Sequence, residues 1–133
     1  MYVKIAQQTA VFKIPNHINN KGSLAALELK DLVPFDVKRV YWAHHNLDDR
    51  GAHCHRTEEE VFILVNGSMK MRIHDGENES IIQMEAHTKG YYVANKIWHE
   101  FIDFSEDSVL LCLSSTNYNP DRSDYIEDFN DFL

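Results

Sequence analysis

Two histidines one residue apart, in the stretch Arg50-Gly51-Ala52-His53-Cys54-His55, are the residues of this sequence best suited to chemistry. Alternate side chains of a β-strand share a face, so His53 and His55 point together while Cys54 points away. Two imidazoles in one pocket can do two kinds of work. With the glutamate that follows, Glu60, they can hold a metal such as Fe, Mn, Ni or Zn with open positions for substrate. Without a metal they accept and donate protons at neutral pH, because the imidazole pKa lies near ~6.5. Glu60 is a ligand on the first reading; it is equally the last of three surface glutamates, Glu58 to Glu60.

Such residues must be held on the inner face of a sheet, and the middle of the chain supplies one. Short runs rich in Val, Ile, Tyr and Phe are separated by turn residues, the pattern of a β-sandwich or barrel. Residues 61–65 end at Asn66-Gly67, a pair that tolerates the positive φ of a tight hairpin. In the next run Met69, Met71 and Ile73 alternate with Lys70, Arg72 and His74, the period of a half-buried strand. Asp75-Gly76 closes a second hairpin onto residues 80–84, and further runs cover 38–43, 90–94, 99–104 and 108–115. The number approaches the eight strands of a jelly roll, whose larger forms enclose a ligand cavity. The ends differ. Residues 24–32 (LAALELKDL) are good helix formers, and their local reading stays ambiguous. Near the C-terminus Tyr125, Ile126, Phe129, Phe132 and Leu133 fall on one helical face, with Ser123 as its cap and Asp124, Glu127 and Asp128 near its positive end. The expectation is one all-β domain over residues 1–133 with a short C-terminal helix.

Composition narrows the partners. A net charge of -8 argues against nucleic acid, whose affinity comes from neutralising phosphates with Lys and Arg. It leaves room for a small phosphorylated ligand, since screening confines the repulsion to about 8 Å and a few local arginines reverse it. No apolar run approaches the ~20 residues of a membrane span. The first residues lack the apolar core of a signal peptide, so a cytoplasmic location is expected. In that reducing compartment Cys54 and Cys112 are expected as free thiols.

The spacing His53-x-His55, four residues, Glu60, six residues, Gly67 is similar to the first motif of the cupin superfamily. His99 falls where the second motif places its last ligand, although Ala94 and Lys96 stand where that motif has Pro and Gly. A narrower resemblance covers roughly residues 20–133. VPFDVKRVYW (33–42), RGAHCH (50–55), VNGSMKMRIHDG (65–76), IWHEF (97–101) and DYIEDFNDFL (124–133) together resemble the sugar-nucleotide 3,4-ketoisomerases, small cupins that make precursors of 3-amino-3,6-dideoxyhexoses.

What the resemblance implies is a homodimeric cupin-type jelly roll that uses no metal or other cofactor and acts on thymidine diphosphate 4-keto-6-deoxyglucose. Its histidine pair falls on His53 and His55 and its active-site tyrosine on Tyr41; at the position of Glu60 the pattern usually carries glutamine. Moving a carbonyl from C4 to C3 needs a base for the C3 proton, an enediol, and return of a proton to C4. On this reading His55 carries that proton while His53 and Tyr41 relay another between the two sugar oxygens, and the two histidines' roles are exchangeable. Arg50, Arg39 and Arg72, with Lys38 behind them, are the candidates for the diphosphate, because guanidinium meets phosphate in a two-pronged geometry. Trp98 and His99 are candidates to line the pocket for base or sugar. Two other readings stay open: a metal-dependent cupin enzyme using His53, His55, Glu60 and His99, and a barrel that binds a sugar or nucleotide without turnover.

Overall fold

A computed structural model describes residues 2–6, 9–30 and 33–133. In chain order the strands are β1 (Tyr2–Ala6), β2 (Thr9–Lys13), β3 (Asn16–Asn19), β4 (Gly22–Ala25), β5 (Arg39–Ala43), β6 (Arg50–His55), β7 (Glu60–Asn66), β8 (Met69–His74), β9 (Glu79–Met84), β10 (Lys89–Val93), β11 (Trp98–Ile102), β12 (Val109–Ser114) and β13 (Tyr125–Ile126). One short helix, α1 (Phe129–Phe132), follows. A six-stranded sheet in the order β1-β2-β10-β7-β12-β5 faces a five-stranded sheet in the order β13-β6-β11-β8-β9, and β3 and β4 form a separate hairpin. The pairings are antiparallel, which makes this the expected jelly roll.

Side-chain alternation decides what lies between the sheets. Phe62, Leu64, Met69, Met71, Ile73, Tyr91, Val93, Phe101 and Leu110 take the inner positions and form the main core. Each such burial is worth roughly 1.5–3 kcal/mol before entropy is counted. By the same parity Tyr41 on β5, Glu60 on β7, His53 and His55 on β6 and His99 on β11 share the inner layer, at the end where the apolar core stops. Gly67, at φ +79°, makes the turn between β7 and β8 as the Asn66-Gly67 pair suggested.

Residues 24–30, the described part of the 24–32 stretch, are not a helix. Leu24 and Ala25 belong to β4, and the chain then runs without regular structure so that Leu27 and Leu29, with Phe35 and Val37, cover Phe12, Val61 and Leu113 on the outer face of the six-stranded sheet. Asp31 and Leu32 lie outside the described residues. Burial on that face outweighs the few tenths of a kcal/mol per residue, about 0.2–0.7, that propensity offers.

The C-terminal helix is shorter than its pattern suggests. Tyr125 and Ile126 are extended and pair with His55 and Cys54, taking up the free edge of β6. The cap is therefore Asp128 rather than Ser123, its side chain accepting from the Asn130 N–H at 2.8 Å. Phe129 and Phe132 then pack on Trp98 and His74. Cys54 and Cys112 are buried free thiols, and no helix among the described residues is long and apolar enough to cross a membrane.

Candidate active site

A bulge in β6 sets the position of the first histidine. Gly51 and Ala52 have φ of +84° and +59°, and the register of β6 against β11 shifts there. A Cβ on Gly51 would lie 2.8 Å from the carbonyl oxygen of His99, so only glycine lets the two backbones meet this closely. The result is a triangle of imidazoles, with ring centroids 4.8 Å apart for His53–His55, 4.9 Å for His53–His99 and 5.7 Å for His55–His99.

These rings are not equivalent. Nδ1 of His53 lies 3.2 Å from the Gly51 carbonyl and Nδ1 of His99 lies 3.1 Å from the Ile97 carbonyl. Each Nδ1–H donates to backbone, which leaves a lone pair on Nε2. Burial, helped by the neighbouring His55, lowers His53 to about 4; burial and the other two rings lower His99 to about 3. Both are neutral at pH 7, with a bare nitrogen available.

His55 is the opposite case. Its Nδ1 lies 3.1 Å from Asp124, and its Nε2 sits between Glu58 at 3.0 Å and Glu60 at 3.1 Å, with the ring N–H aligned on neither oxygen. Burial opposes a charge on this ring, but contacts with Glu58 and Glu60 outweigh it and push the pKa up to about 9. Glu58 is in turn lowered to about 2: burial works against its charge, but His55 and the Ser114 hydroxyl prevail. Arg39 adds a guanidinium at 2.6 Å. Glu60 goes the other way, raised by burial and by the charge of Glu58 against the pull of His55. Two cations thus face three carboxylates, and of Glu58 and Glu60 the latter is the more readily protonated.

Tyr41 reaches in from β5 and donates its hydroxyl to Glu60 Oε2; burial and that carboxylate hold the phenol far above its usual pKa. A cavity of about 230 Å³ opens beside it, lined among others by Tyr41, Arg50, His53, His99, Arg122 and Tyr125. On the other side of Tyr125 a second depression of about 370 Å³ runs past Arg39, Glu58 and Asp124.

The structure therefore brings together Tyr41, Arg50, His53 and His99 around one cavity, with His55 buried behind it. Arg39 is near but committed to Glu58. Arg72 is elsewhere: on β8 it shares the outer face with Lys70 and His74 and pairs with Glu79 and Glu100. Trp98, one residue out of phase with His99, also points outward, donating to Glu100 and packing on α1. Lys38 is exposed ahead of β5. Its parity, too, is opposite to that of Arg39.

Glu58 and Glu60 are not surface glutamates, being only 3% and 2% exposed. Sequence reasoning missed Glu58, Asp124, Tyr125 and Arg122. Asp124 was read as helix charge, yet its Oδ1 accepts from the Thr57 N–H and hydroxyl, both at 2.7 Å, while Oδ2 meets His55. The signal lay in the Asp124-Tyr125-Ile126 stretch, where an aromatic and a β-branched residue fit a strand as well as a helix.

A metal fits this donor set poorly. His53, His55 and His99 each present a nitrogen within 4.8 Å of the others. However, the carboxylates on both sides of His55 favour its protonated ring, which has no lone pair to offer, and Glu60 is engaged by Tyr41 and His55. The arrangement is that of an acid–base site: two bare imidazole nitrogens, a phenol, and a buried imidazolium behind them.

Comparison with known proteins gives a consistent set. The family described as "FdtA: WxcM-like, C-terminal" matches residues 7–133. The chain is 35% identical over 127 residues to the TDP-4-oxo-6-deoxy-alpha-D-glucose-3,4-oxoisomerase of Aneurinibacillus thermoaerophilus, covering 94% of this chain and 90% of that one. The 3,4-ketoisomerase QdtA of Thermoanaerobacterium thermosaccharolyticum, solved with TDP, superposes with a TM-score of 0.87 at 35% identity, covering 94% of this chain and 91% of that one. The TDP-quinovose 3,4-ketoisomerase WlaRB of Campylobacter jejuni gives 0.88 at 33% identity, with 96% and 98% covered.

Proposed function

We propose, from the premise that this chain belongs to the FdtA family of WxcM-like C-terminal proteins, that it is a cupin-type isomerase moving the keto group of a TDP-4-keto-6-deoxyhexose from C4 to C3. The observation that carries the reading is one cavity lined by both His53, whose Nδ1 is tied to the Gly51 carbonyl, and Tyr41.

His53 removes the C3 proton and returns it at C4. It holds this role in preference to His55, whose two nitrogens face carboxylates and whose charge makes it a poor base. This exchanges the roles expected from sequence. As the C3–H bond breaks, its electron pair forms the C3–C4 double bond and negative charge moves to the C4 oxygen. Tyr41, turning its one proton from Glu60 to that oxygen, donates it there and takes the proton of the C3 hydroxyl in the second half, which restores the phenol. The His55 imidazolium supplies fixed positive charge behind the cavity, where low dielectric magnifies it. His99 Nε2 can accept from a sugar hydroxyl. Arg50, whose Nε donates to Asn46 at 3.1 Å, is held at the cavity wall for the sugar or its phosphate. The cavity lies below the ~300 Å³ at the small end of ligand pockets, which suits a hexose with its nucleotide outside.

The test is incubation with TDP-4-keto-6-deoxyglucose, followed by NMR. A 3-keto sugar nucleotide is expected; tight binding without turnover would leave a binding protein. His53→Asn should abolish exchange of the C3 proton with deuterated water while TDP still binds. Full exchange in that variant would overturn the assignment of the base.

The reading extends to a cytoplasmic homodimer. Free Cys54 and Cys112 suit a reducing compartment. The six-stranded sheet ends at β5, whose outward Val40 and Trp42 are 52% and 59% exposed, an apolar edge that a second copy would cover. Trp42→Glu should shift sedimentation from dimer to monomer.

A further inference from the structure

We propose that Arg122 grips the diphosphate of the substrate, and that Glu127 holds its guanidinium in place until the diphosphate displaces it. This rests on the nucleotide-sugar reading above and assigns a residue that the sequence motifs do not single out.

A diphosphate needs a cation beside the sugar cavity, on a surface whose charge is mostly negative. Arg39 is occupied by buried Glu58, and Arg72 lies on the outer face between Glu79 and Glu100; Arg50, held to Asn46, shares the cavity wall and can meet the same phosphates. Arg122 lines the cavity together with His53 and Tyr41. Its guanidinium stacks 3.9 Å over the Tyr125 ring, and that ring packs 5.0 Å from the centre of His53. The fork is thus positioned relative to the base.

The backbone fixes it further. Arg122 has a φ of +56°, in the left-handed region that residues with a Cβ seldom enter. The turn is closed by its N–H donating to the Asn119 carbonyl at 3.1 Å and by the Tyr125 N–H donating to the Arg122 carbonyl at 3.0 Å. A strained turn just before β13 aims one long cationic side chain over the cavity mouth.

Its present carboxylate partner is easily exchanged. Arg122 Nε donates to Glu127 at 3.1 Å, and a second, shorter contact joins the same groups, but the two side chains are 42% and 57% exposed. Ion pairs that open to water are screened and contribute little. A diphosphate offers more charge and several oxygens to the same two-pronged donor. Beyond burial and His55, Arg122 and Glu127 act on His53 in opposite senses. Replacing the carboxylate with a phosphate therefore keeps the guanidinium neutralised and the base usable.

Binding of TDP and of thymidine to the wild type, Arg122→Ala, Arg122→Lys and Glu127→Gln, with kcat and KM for the ketosugar, tests this. Arg122→Ala should weaken TDP about 10- to 100-fold and raise KM similarly, with kcat little changed and thymidine affinity unaltered. Arg122→Lys should fall between, keeping the charge without the fork. Glu127→Gln should bind TDP about 2- to 5-fold more tightly, because the competitor is gone. TDP binding by Arg122→Ala within twofold of wild type, or weaker binding by Glu127→Gln, would overturn the proposal. If the wild type itself neither binds TDP nor turns over the ketosugar, the nucleotide-sugar reading falls instead.

Discussion

A carboxylate's neighbours, more than its own type, set its task here. Glu58 and Glu60 both touch His55, yet Glu58 also has Arg39, Ser114 and Thr116 and stays charged, whereas Glu60 has Tyr41 and deep burial. Glu60→Gln should therefore be mild, within about 1 kcal/mol by thermal melting, since an amide oxygen can still face His55 while its NH2 donates to the phenol. Glu60→Leu should cost about 1–3 kcal/mol by stranding the Tyr41 hydroxyl. Because His53 must be neutral to act and is lowered to about 4, kcat/KM should hold into mild acid and fall only as pH drops through that value. An acid limb near the ordinary imidazole value would contradict its assignment. The histidine pair was legible in sequence because strand parity is strict. Which ring is bare was not, since that depends on carboxylates from β7 and from the segment before β13.

The strands that alternate cleanly were legible within a residue or two, β8 above all, where each Met or Ile is followed by a polar residue. Residues 24–30 stayed ambiguous in sequence because helix propensity is local while the surface that Leu27 and Leu29 cover comes from β2, β7 and β12. The segment at 125–126 misled for a related reason: its pairing partner β6 lies about seventy residues earlier, and pairing over such a distance leaves no local periodicity. Asp124 joins β13 to the loop after β6. Asp124→Ala removes the acceptor for two Thr57 donors and the partner of His55 Nδ1, so a loss of about 2–4 kcal/mol is expected in denaturant melts, with α1 loosening first in hydrogen exchange. Gly51→Ala should act on the site more than on stability. It forces β6 from β11 at His99, and the expected signature is a fall in kcat with the fold retained.

Across the molecule, the ionisable groups between the sheets make stability depend on pH from both sides. His55, raised from 6.5 to about 9, contributes fully below its unfolded value and loses that contribution as pH climbs towards 9. His53 and His99 are lowered from 6.5, so folding becomes less favourable as pH drops below that value and the unfolded chain takes up protons they resist. Glu58, lowered from 4.5 to about 2, adds to the acid loss within that lower window. The melting temperature should peak near pH 6.5, and His55→Asn should remove the alkaline decline. The base stands on one sheet and its phenol partner on the other, so neither layer alone holds a working pair. Recovery of turnover during refolding should consequently track the last step, when the layers dock, and lag behind circular dichroism; catalysis is then a clock for completed assembly.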